Sequence, residues 1–232
     1  MKILLPGSDR QITLLLKHTE INGKSVLLVG GGSVQIARML KEAGAERVEI
    51  IVEDYEAFIN SSLLLDENSK LIIKIMDFTH TDYTTNSYDM VFAQGTLCSV
   101  NRKEIVKEMK RLLKPGGFLC SGEIIKLEND VPSYVEDIFD NSGLDPLTIP
   151  DMKKYYTERN FDIKFESDLS ATLQEYYSSS LETLETALKD LSDNEKSYYK
   201  KLIKQIKHEA TSYLQLGADK YIGFYMLIME MI

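Results

Sequence analysis

Three consecutive glycines are the feature of this sequence best suited to holding a ligand. Gly30, Gly31 and Gly32 follow the apolar run 25–29 and precede a helical pattern. Glycine has no Cβ and tolerates unusual backbone angles, so a turn built from it lets the chain pass within contact distance of a ligand. The triplet therefore predicts a nucleotide-like ligand without naming it.

Two acidic residues end the next apolar run, 48–52. Glu53 and Asp54 lie about 20 residues past the glycines, where a carboxylate can accept hydrogen bonds from the ribose hydroxyls of a cofactor. Acids are also common at helix starts, which leaves a purely structural role open. A nicotinamide cofactor fits less well, because the third glycine or alanine of its fingerprint would fall at Gln35.

Short apolar runs alternate with helical patterns through the first half of the chain. This alternation predicts a doubly wound α/β fold, because continuous apolar strands separated by helices form a parallel sheet covered on both faces. The predicted strands are 25–29, 48–52, 71–76, 88–93 and 118–124, and the predicted helices are 34–43, 55–65 and 103–113.

The last third of the chain has a different pattern. Strand-like runs at 161–165 and 221–231 enclose residues that predict two helices, the second beginning with the capping box of Ser192 and Glu195. We expect a single domain over 1–232, with an N-terminal helical segment (1–20) and a helical insertion (171–217). The insertion either covers an acceptor site at the carboxyl ends of the strands or only thickens the core.

The composition narrows the classes of partner. The net charge of -9 in 232 residues argues against a nucleic-acid partner, which needs a clustered basic surface. The two cysteines, Cys98 and Cys120, are too few for a zinc-ligand set, so no metal is expected. The lack of a signal-like or membrane-spanning apolar run favours a cytoplasmic protein without membrane insertion, and a homodimer is compatible with the sequence.

Three segments resemble a known family. Asp77-Phe78, the run 87–93 and the run 108–118 are similar to the class I S-adenosylmethionine-dependent methyltransferases of the ubiquinone/menaquinone-biosynthesis-like branch, over about residues 20–126. The resemblance implies S-adenosylmethionine as cofactor and a seven-stranded, mostly parallel, Rossmann-like sheet whose last strand is antiparallel. It also implies that Asp77 accepts a hydrogen bond from the adenine amino group and that Phe78 contacts the adenine through its backbone or ring.

Two positions depart from the family pattern. The family usually has Asp or Glu two residues before the first glycine, where it helps to hold the methionine end of the cofactor, and this chain has Leu28. The usual third glycine of the loop is Val34. Losing a charge-assisted contact would weaken cofactor binding, so a non-catalytic cofactor-binding or regulatory protein is the alternative to an enzyme.

The resemblance places residues 94–99 beside the reactive methyl group. Gln94, Gly95 and Thr96 are therefore expected to contact the cofactor or the substrate. Methyl transfer is a direct displacement, so the protein mainly positions the reactants and removes a proton where required. Glu123 lies near the end of the fifth strand and is a candidate base or a candidate anion for an amine substrate. Cys98 could meet the substrate, although a small buried hydrophobe is the commoner role of a free cysteine.

The inserted helices carry the only indication of the acceptor. Tyr176, Tyr177 and Tyr213 could hold a methylated ammonium by cation–π attraction, or they could simply pack in the core. The insertion before the last strand is loosely similar to small-amine methyltransferases. We therefore expect an enzyme acting on a small-molecule acceptor, with an amine favoured and a phenol, thiol or arsenical left open.

Overall fold

Strands and helices alternate as the sequence predicts. The computed structural model describes residues 4–65 and 71–232. The strands are β1 (Ser25–Val29), β2 (Arg47–Val52), β3 (Ile72–Ile75), β4 (Tyr88–Gln94), β5 (Leu113–Lys126), β6 (Phe161–Asp168) and β7 (Ile222–Met231). The helices are α1 (Arg10–His18), α2 (Val34–Glu42), α3 (Tyr55–Ser62), α4 (Arg102–Leu112), α5 (Ser133–Asn141), α6 (Ile149–Thr157), α7 (Leu173–Asp190), α8 (Asp193–Tyr198) and α9 (Lys200–Gln215).

The strands form one seven-stranded sheet in the order β3-β2-β1-β4-β5-β7-β6. The first five strands run parallel, and β7 lies antiparallel between β5 and β6. This confirms the predicted Rossmann-like sheet with an antiparallel last strand. The strand order reverses between β1 and β4, and ligands of open α/β sheets bind at such a switch point, beyond the carboxyl ends of the strands.

The central strands are buried because helices pack on both faces of the sheet. Leu28 and Phe92 belong to the core under α1, α2, α5, α7 and α9, whereas Leu27 and Val91 belong to the core under α4 and α6. Alternate residues of one strand therefore enter different cores. This arrangement explains why β1 and β4 have apolar residues on both sides.

Several element boundaries differ from the prediction. Helix α3 ends at Ser62 instead of residue 65, and β5 begins at Leu113, with the turn 114–117 contained in it as an irregularity opposite β4. The short helices α5 and α6 were not predicted. The second inserted helix is divided at Tyr199 into α8 and α9, and its predicted capping box of Ser192 and Glu195 is confirmed.

The N-terminal residues 4–9, called the strap below, cross the carboxyl edge of the sheet. The side-chain amide of Gln94 donates to the carbonyl oxygens of Pro6 at 2.7 Å and Ser8 at 3.0 Å. The N–H of Gly7 donates to Thr172 Oγ1 at 3.1 Å. Helix α1 follows the strap, and the rest of the predicted helical segment includes residues 1–3, which lie outside the described residues. The strap therefore links β4 to the start of the inserted helices.

The inserted helices pack on each other and on α5. The rings of Tyr177 in α7 and Tyr213 in α9 stack with their centroids 4.6 Å apart. Ser142, which follows α5, donates through its hydroxyl to Glu209 of α9 at 2.6 Å. The insertion is thus anchored both to the core and to a surface helix of the sheet domain.

Asp89 joins the beginnings of three elements and should make stability sensitive to acid. Its carboxylate accepts from the Ser25 N–H at 2.9 Å and hydroxyl at 2.6 Å, and from Lys114 Nζ at 2.9 Å. Burial alone would raise the pKa of Asp89, but these donors outweigh it and lower the pKa to about 2. The stabilisation is present above the unfolded pKa near 3.8 and is lost as pH falls through about 2.

We therefore expect Asp89→Asn to lower the free energy of unfolding by about 2 kcal/mol at neutral pH. Urea unfolding between pH 7 and pH 2 measures this difference. The difference between variant and wild type should shrink below pH 4; a constant difference across the range would contradict the assignment.

Candidate active site

The glycine turn between β1 and α2 is held in a conformation that requires glycine. Gly30 has φ +115° and Gly32 has φ +76°, in the region that side chains other than glycine rarely adopt. Ser33 Oγ donates to the Gly30 carbonyl at 2.8 Å, and Gly30 N–H donates to Ile51 O at 3.0 Å. The turn thereby presents its backbone and the N-terminal end of α2 at the carboxyl edge of the sheet, where a ligand can approach closely.

Thr96 contacts this turn from the neighbouring loop. Thr96 Oγ1 donates a hydrogen bond to Val29 O at 2.9 Å. A Cβ added to Gly30 would lie only 2.5 Å from Thr96 Oγ1. Gly95, with φ +78°, lies under Pro6 of the strap. Gln94 binds the strap itself. The three residues predicted to touch the cofactor or the substrate therefore connect the strap to the glycine turn.

Acidic side chains gather at the ends of β2 and β3. Partial burial raises the pKa of Glu53; the Phe78 N–H opposes this, while the charges of Asp77 and Asp54 raise the pKa further. The hydrogen bond from Phe78 and the effect of the Asp77 charge show that Glu53 lies beside both residues. Asp54 Oδ1 accepts from Ala57 N–H at 2.7 Å and so caps α3. The structure brings the predicted acids to one edge, with Asp54 in a structural role.

Asp77 has one carboxylate oxygen fixed by its own turn. The N–H and hydroxyl of Thr79 both donate to Oδ1 at 2.7 Å and lower the pKa of Asp77, which keeps the carboxylate ionised. Both bonds fall on Oδ1, so Oδ2 can accept from a ligand. The Phe78 ring is 4% exposed and packs in the core, which leaves its backbone for ligand contact. His80 is exposed in the following turn.

The two departures from the family pattern are core residues. Leu28 is 0% exposed and Val34 is 1% exposed, and both pack among apolar side chains on the α1 face of the sheet. Leucine at position 28 cannot accept a hydrogen bond from a cofactor. Any acceptor for the amino group of the methionine end must therefore come from another part of the chain.

Glu123, the predicted base, is 1% exposed, and its carboxylate is occupied by an arginine and two hydroxyls. Its Oε2 accepts from Arg102 Nη2 at 3.2 Å, and its Oε1 accepts from Ser121 Oγ at 2.7 Å and from the Tyr156 hydroxyl. All of these groups lie in the core under α4 and α6. Arg102 also donates through Nε to Leu97 O at 3.0 Å, so this network holds the loop after β4. The role of Arg102 was missed, because a single Arg at a helix start has no distinctive sequence pattern.

Cys98 is a buried thiol in the middle of the same loop. Its side chain is 0% exposed, and burial raises its pKa to about 12, with the Glu123 charge adding to the effect. A thiolate is thus disfavoured, and the structural role left open in the sequence suits this residue better than nucleophilic chemistry.

Both cysteines should resist thiol reagents in the folded protein. Cys120 is also 0% exposed, with a pKa raised to about 12 by burial. We expect no release of thionitrobenzoate from Ellman's reagent at pH 8 over minutes, and reaction of both thiols in guanidinium chloride. Rapid native labelling lost in Cys98→Ala but not in Cys120→Ala would contradict the structural role of Cys98.

A cavity of about 400 Å³ lies between α7 and α9, next to the strap. Tyr176 and Tyr177 line it with their rings edge to face at 5.0 Å, and Tyr213 stacks behind Tyr177. The side chains of Leu4, in the strap, and Ile206 form an apolar part of the cavity wall. Glu209 also lines the cavity and was missed in the sequence, although it precedes Tyr213 by one helical turn.

Across 4–65 and 71–232, no group of three or more His, Cys, Asp and Glu side chains could hold a metal ion. No helix within those ranges is both long enough and apolar enough to cross a membrane.

Comparisons with known structures concern the fold. The chain is similar to the [4+2]-cyclase SpnF (TM-score 0.76, 19% identity, 96% of this chain and 80% of that one). It is also similar to phosphoethanolamine N-methyltransferase 2 of Haemonchus contortus (0.76, 15%, 99% and 54%) and to geranyl diphosphate C-methyltransferase of Streptomyces coelicolor A3(2) (0.69, 13%, 97% and 78%). These neighbours differ in the reactions they are named for, so the shared fold does not select an acceptor.

Part of the chain also matches a known family at the level of sequence. No curated protein matches the chain. A family model described as a methyltransferase domain matches residues 27–121, which run from β1 into β5 and include the glycine turn, Glu53, Asp77 and the loop after β4. The match supports a methyltransferase domain over residues 27–121 with S-adenosylmethionine as its cofactor, and the solved structures support the fold of the whole chain.

Proposed function

We propose that the protein methylates a small amine that binds in the cavity between α7 and α9. The observation that carries this proposal is the cavity's lining, in which Tyr176 and Tyr177 provide aromatic faces and Glu209 provides a carboxylate. Aromatic faces and a carboxylate are complementary to an alkylated ammonium. Through Leu4 the cavity borders the strap, and the strap is bound to Gln94 at the end of β4.

We propose that the carboxyl edge of β1, β2 and β3 holds the cofactor. The glycine turn 30–32 would bind it through backbone contacts, Glu53 would accept from the ribose hydroxyls, and Asp77 Oδ2 would accept from the adenine amino group. Asp54 would act indirectly by capping α3. Gln94, Gly95 and Thr96 would position the strap and the turn around the reacting centre.

The cofactor supplies a methyl group on a positively charged sulfur. The protein's contribution is to align an acceptor nitrogen with that methyl and to limit water, which the strap and the inserted helices can do from above the strands. As an uncharged amine takes up the methyl group, its nitrogen becomes cationic. Glu209 and the tyrosine faces would stabilise that developing charge.

The cavity tyrosines are suited to holding an acceptor and unsuited to acting as bases. Burial raises the pKa of Tyr176 and of Tyr177, and the nearby Glu209 charge raises both further. The phenols therefore stay protonated at neutral pH and act as donors and aromatic surfaces. An amine free base requires no dedicated protein base before attack, whereas a phenol acceptor does.

An acceptor screen tests the proposal directly. Formation of S-adenosylhomocysteine would be followed with small alkylamines, phenols, thiols and arsenite. We expect turnover with amines, and Ser179→Phe, which fills the cavity, should reduce kcat/KM at least about 10-fold without changing S-adenosylhomocysteine affinity. Thr186→Phe, on an exposed part of α7 outside the cavity lining, is the matched control.

The outcomes separate the alternatives. Turnover of phenols or thiols without turnover of amines would contradict an amine acceptor. Equal losses of kcat/KM in Ser179→Phe and Thr186→Phe would contradict the cavity as the acceptor site. Binding of S-adenosylhomocysteine without turnover of any class would favour the non-catalytic protein that Leu28 and Val34 suggest.

A further inference from the structure

Two buried amide oxygens at the end of β4 lack a hydrogen-bond partner. Gln11 of α1 is 0% exposed and Gln94 is 6% exposed. The Oε1 atom of each has no partner in the described part of the chain. Leaving a buried acceptor unpaired is energetically unfavourable, so two neighbouring ones indicate a ligand or an ordered water.

The amide groups cannot be turned to remove this deficit. Nε2 of Gln94 donates to the carbonyl oxygens of Pro6 and Ser8, and Nε2 of Gln11 donates to Ala93 O at 3.0 Å. Reversing either amide would place its oxygen against a carbonyl oxygen. The hydrogen-bond network therefore fixes both free groups as acceptors.

The two oxygens belong to the same small region. Gln94 is paired in register with Gly122 of β5, and a Cβ on Gly122 would collide with Gln11 Oε1. Side chains of register partners project from the same face of a sheet. The Gln11 amide thus occupies the space beside Gln94 that the absence of a side chain at Gly122 leaves open.

This region lies beside the glycine turn. Gln94 follows Ala93, which pairs with Val29, and Thr96 returns to donate to Val29 O. The neighbouring side chain of β1 on this face is Leu28, which offers no acceptor. Two neighbouring glutamine side chains whose oxygens have no donor in the described residues are complementary to a cation that carries several N–H groups.

We propose that Gln11 Oε1 and Gln94 Oε1 accept hydrogen bonds from the α-ammonium group of the cofactor's methionine end. Gln11 enters the site from outside the matched domain, on the helix that follows the strap. The pair supplies the acceptors that Leu28 cannot, so the chain retains recognition of the amino group without a carboxylate at that position. The inference concerns the cofactor only and stands whichever acceptor is methylated.

Calorimetric titration with two ligands tests this proposal. One is S-adenosylhomocysteine, and the other is the analogue in which hydrogen replaces its α-amino group. Hydrogen bonds to a charged group justify an expected preference of about 10- to 100-fold for the first ligand in the wild type. In Gln11→Met, which keeps the side-chain length, that preference should fall by about 10-fold.

Thr19→Val is the matched control, since Thr19 Oγ1 is another buried atom without a partner in the described residues, at the opposite end of α1. It should leave the ligand preference unchanged. Should Gln11→Met not fold, Gln94→Met makes the same comparison. A wild-type preference below about 3-fold, or one that survives the glutamine substitutions, would overturn the proposal and leave an ordered water as the partner of the two oxygens.

Discussion

Replacing Arg102 by methionine is expected to lower the free energy of unfolding by about 3–5 kcal/mol. Arg102 is 4% exposed and is the cationic partner of Glu123, whose own exposure is 1%. Without the guanidinium, the Glu123 carboxylate stays buried with only the hydroxyls of Ser121 and Tyr156 as donors. Urea unfolding and the melting temperature measure the loss, at roughly 2–4 °C for each kcal/mol in a chain of this size.

Two further variants show whether the cause is the unpaired charge. Arg102→Met combined with Glu123→Met removes both charges and should recover part of the lost stability. Lys153→Met breaks a 2.8 Å ion pair with Glu166 in which the two side chains are 39% and 37% exposed, so its effect should be smaller. Equal losses in Arg102→Met and Lys153→Met would show that burial of the pair is not what matters.

Gly30→Ala is expected to weaken S-adenosylhomocysteine binding at least about 100-fold. Alanine at φ +115° is strained, and its Cβ would lie 2.5 Å from Thr96 Oγ1, so the turn must move away from the loop after β4. Because both segments border the proposed cofactor site, the displacement changes its shape. Titration calorimetry on the purified variant measures the effect.

The chain contains a matched control for backbone strain. Gly23 has φ +72° and no atom within 4 Å of an added Cβ, so Gly23→Ala tests the strain without the collision. It should cost about 1 kcal/mol of stability and leave ligand affinity unchanged. Adding Thr96→Ala to Gly30→Ala relieves the collision and should restore part of the affinity. Wild-type affinity in Gly30→Ala would contradict the placement of the ligand at this turn.

The sheet was predictable because burial on both faces determines its sequence. The bounds of β1 were predicted without error, and β4 was predicted to within one residue at its carboxyl end. A central parallel strand needs apolar side chains on both sides, which gives a continuous run that few other structures require. The glycine turn was equally predictable, since its conformation excludes other residues.

The helices α5 and α6 and the role of Glu123 could not be read from local sequence. Helix α5 buries only three residues and α6 only two, which is too few to give a strong apolar periodicity. Glu123 was predicted to be a base from its position near the end of a strand. The role of Glu123 depends on its hydrogen-bond partners Arg102 and Tyr156. These residues are distant in sequence and contact Glu123 only in the folded protein.

The strap and the glutamine pair depend on contacts between distant segments. Gln94 binds Pro6 and Ser8 across more than eighty residues of sequence. Such bonds use backbone carbonyl oxygens, which every residue has, so no residue type signals them. Departures such as Leu28 were visible in the sequence, but what replaces the lost carboxylate was not.

Titration calorimetry of the wild type and Asp77→Asn with S-adenosylhomocysteine tests the central claim most directly, with NADH as the competing ligand. We predict one saturable site for S-adenosylhomocysteine, affinity at least about 10-fold weaker in Asp77→Asn, and weaker or no binding of NADH. The claim would be contradicted if S-adenosylhomocysteine did not bind, or if NADH bound more tightly and Asp77→Asn left both affinities unchanged.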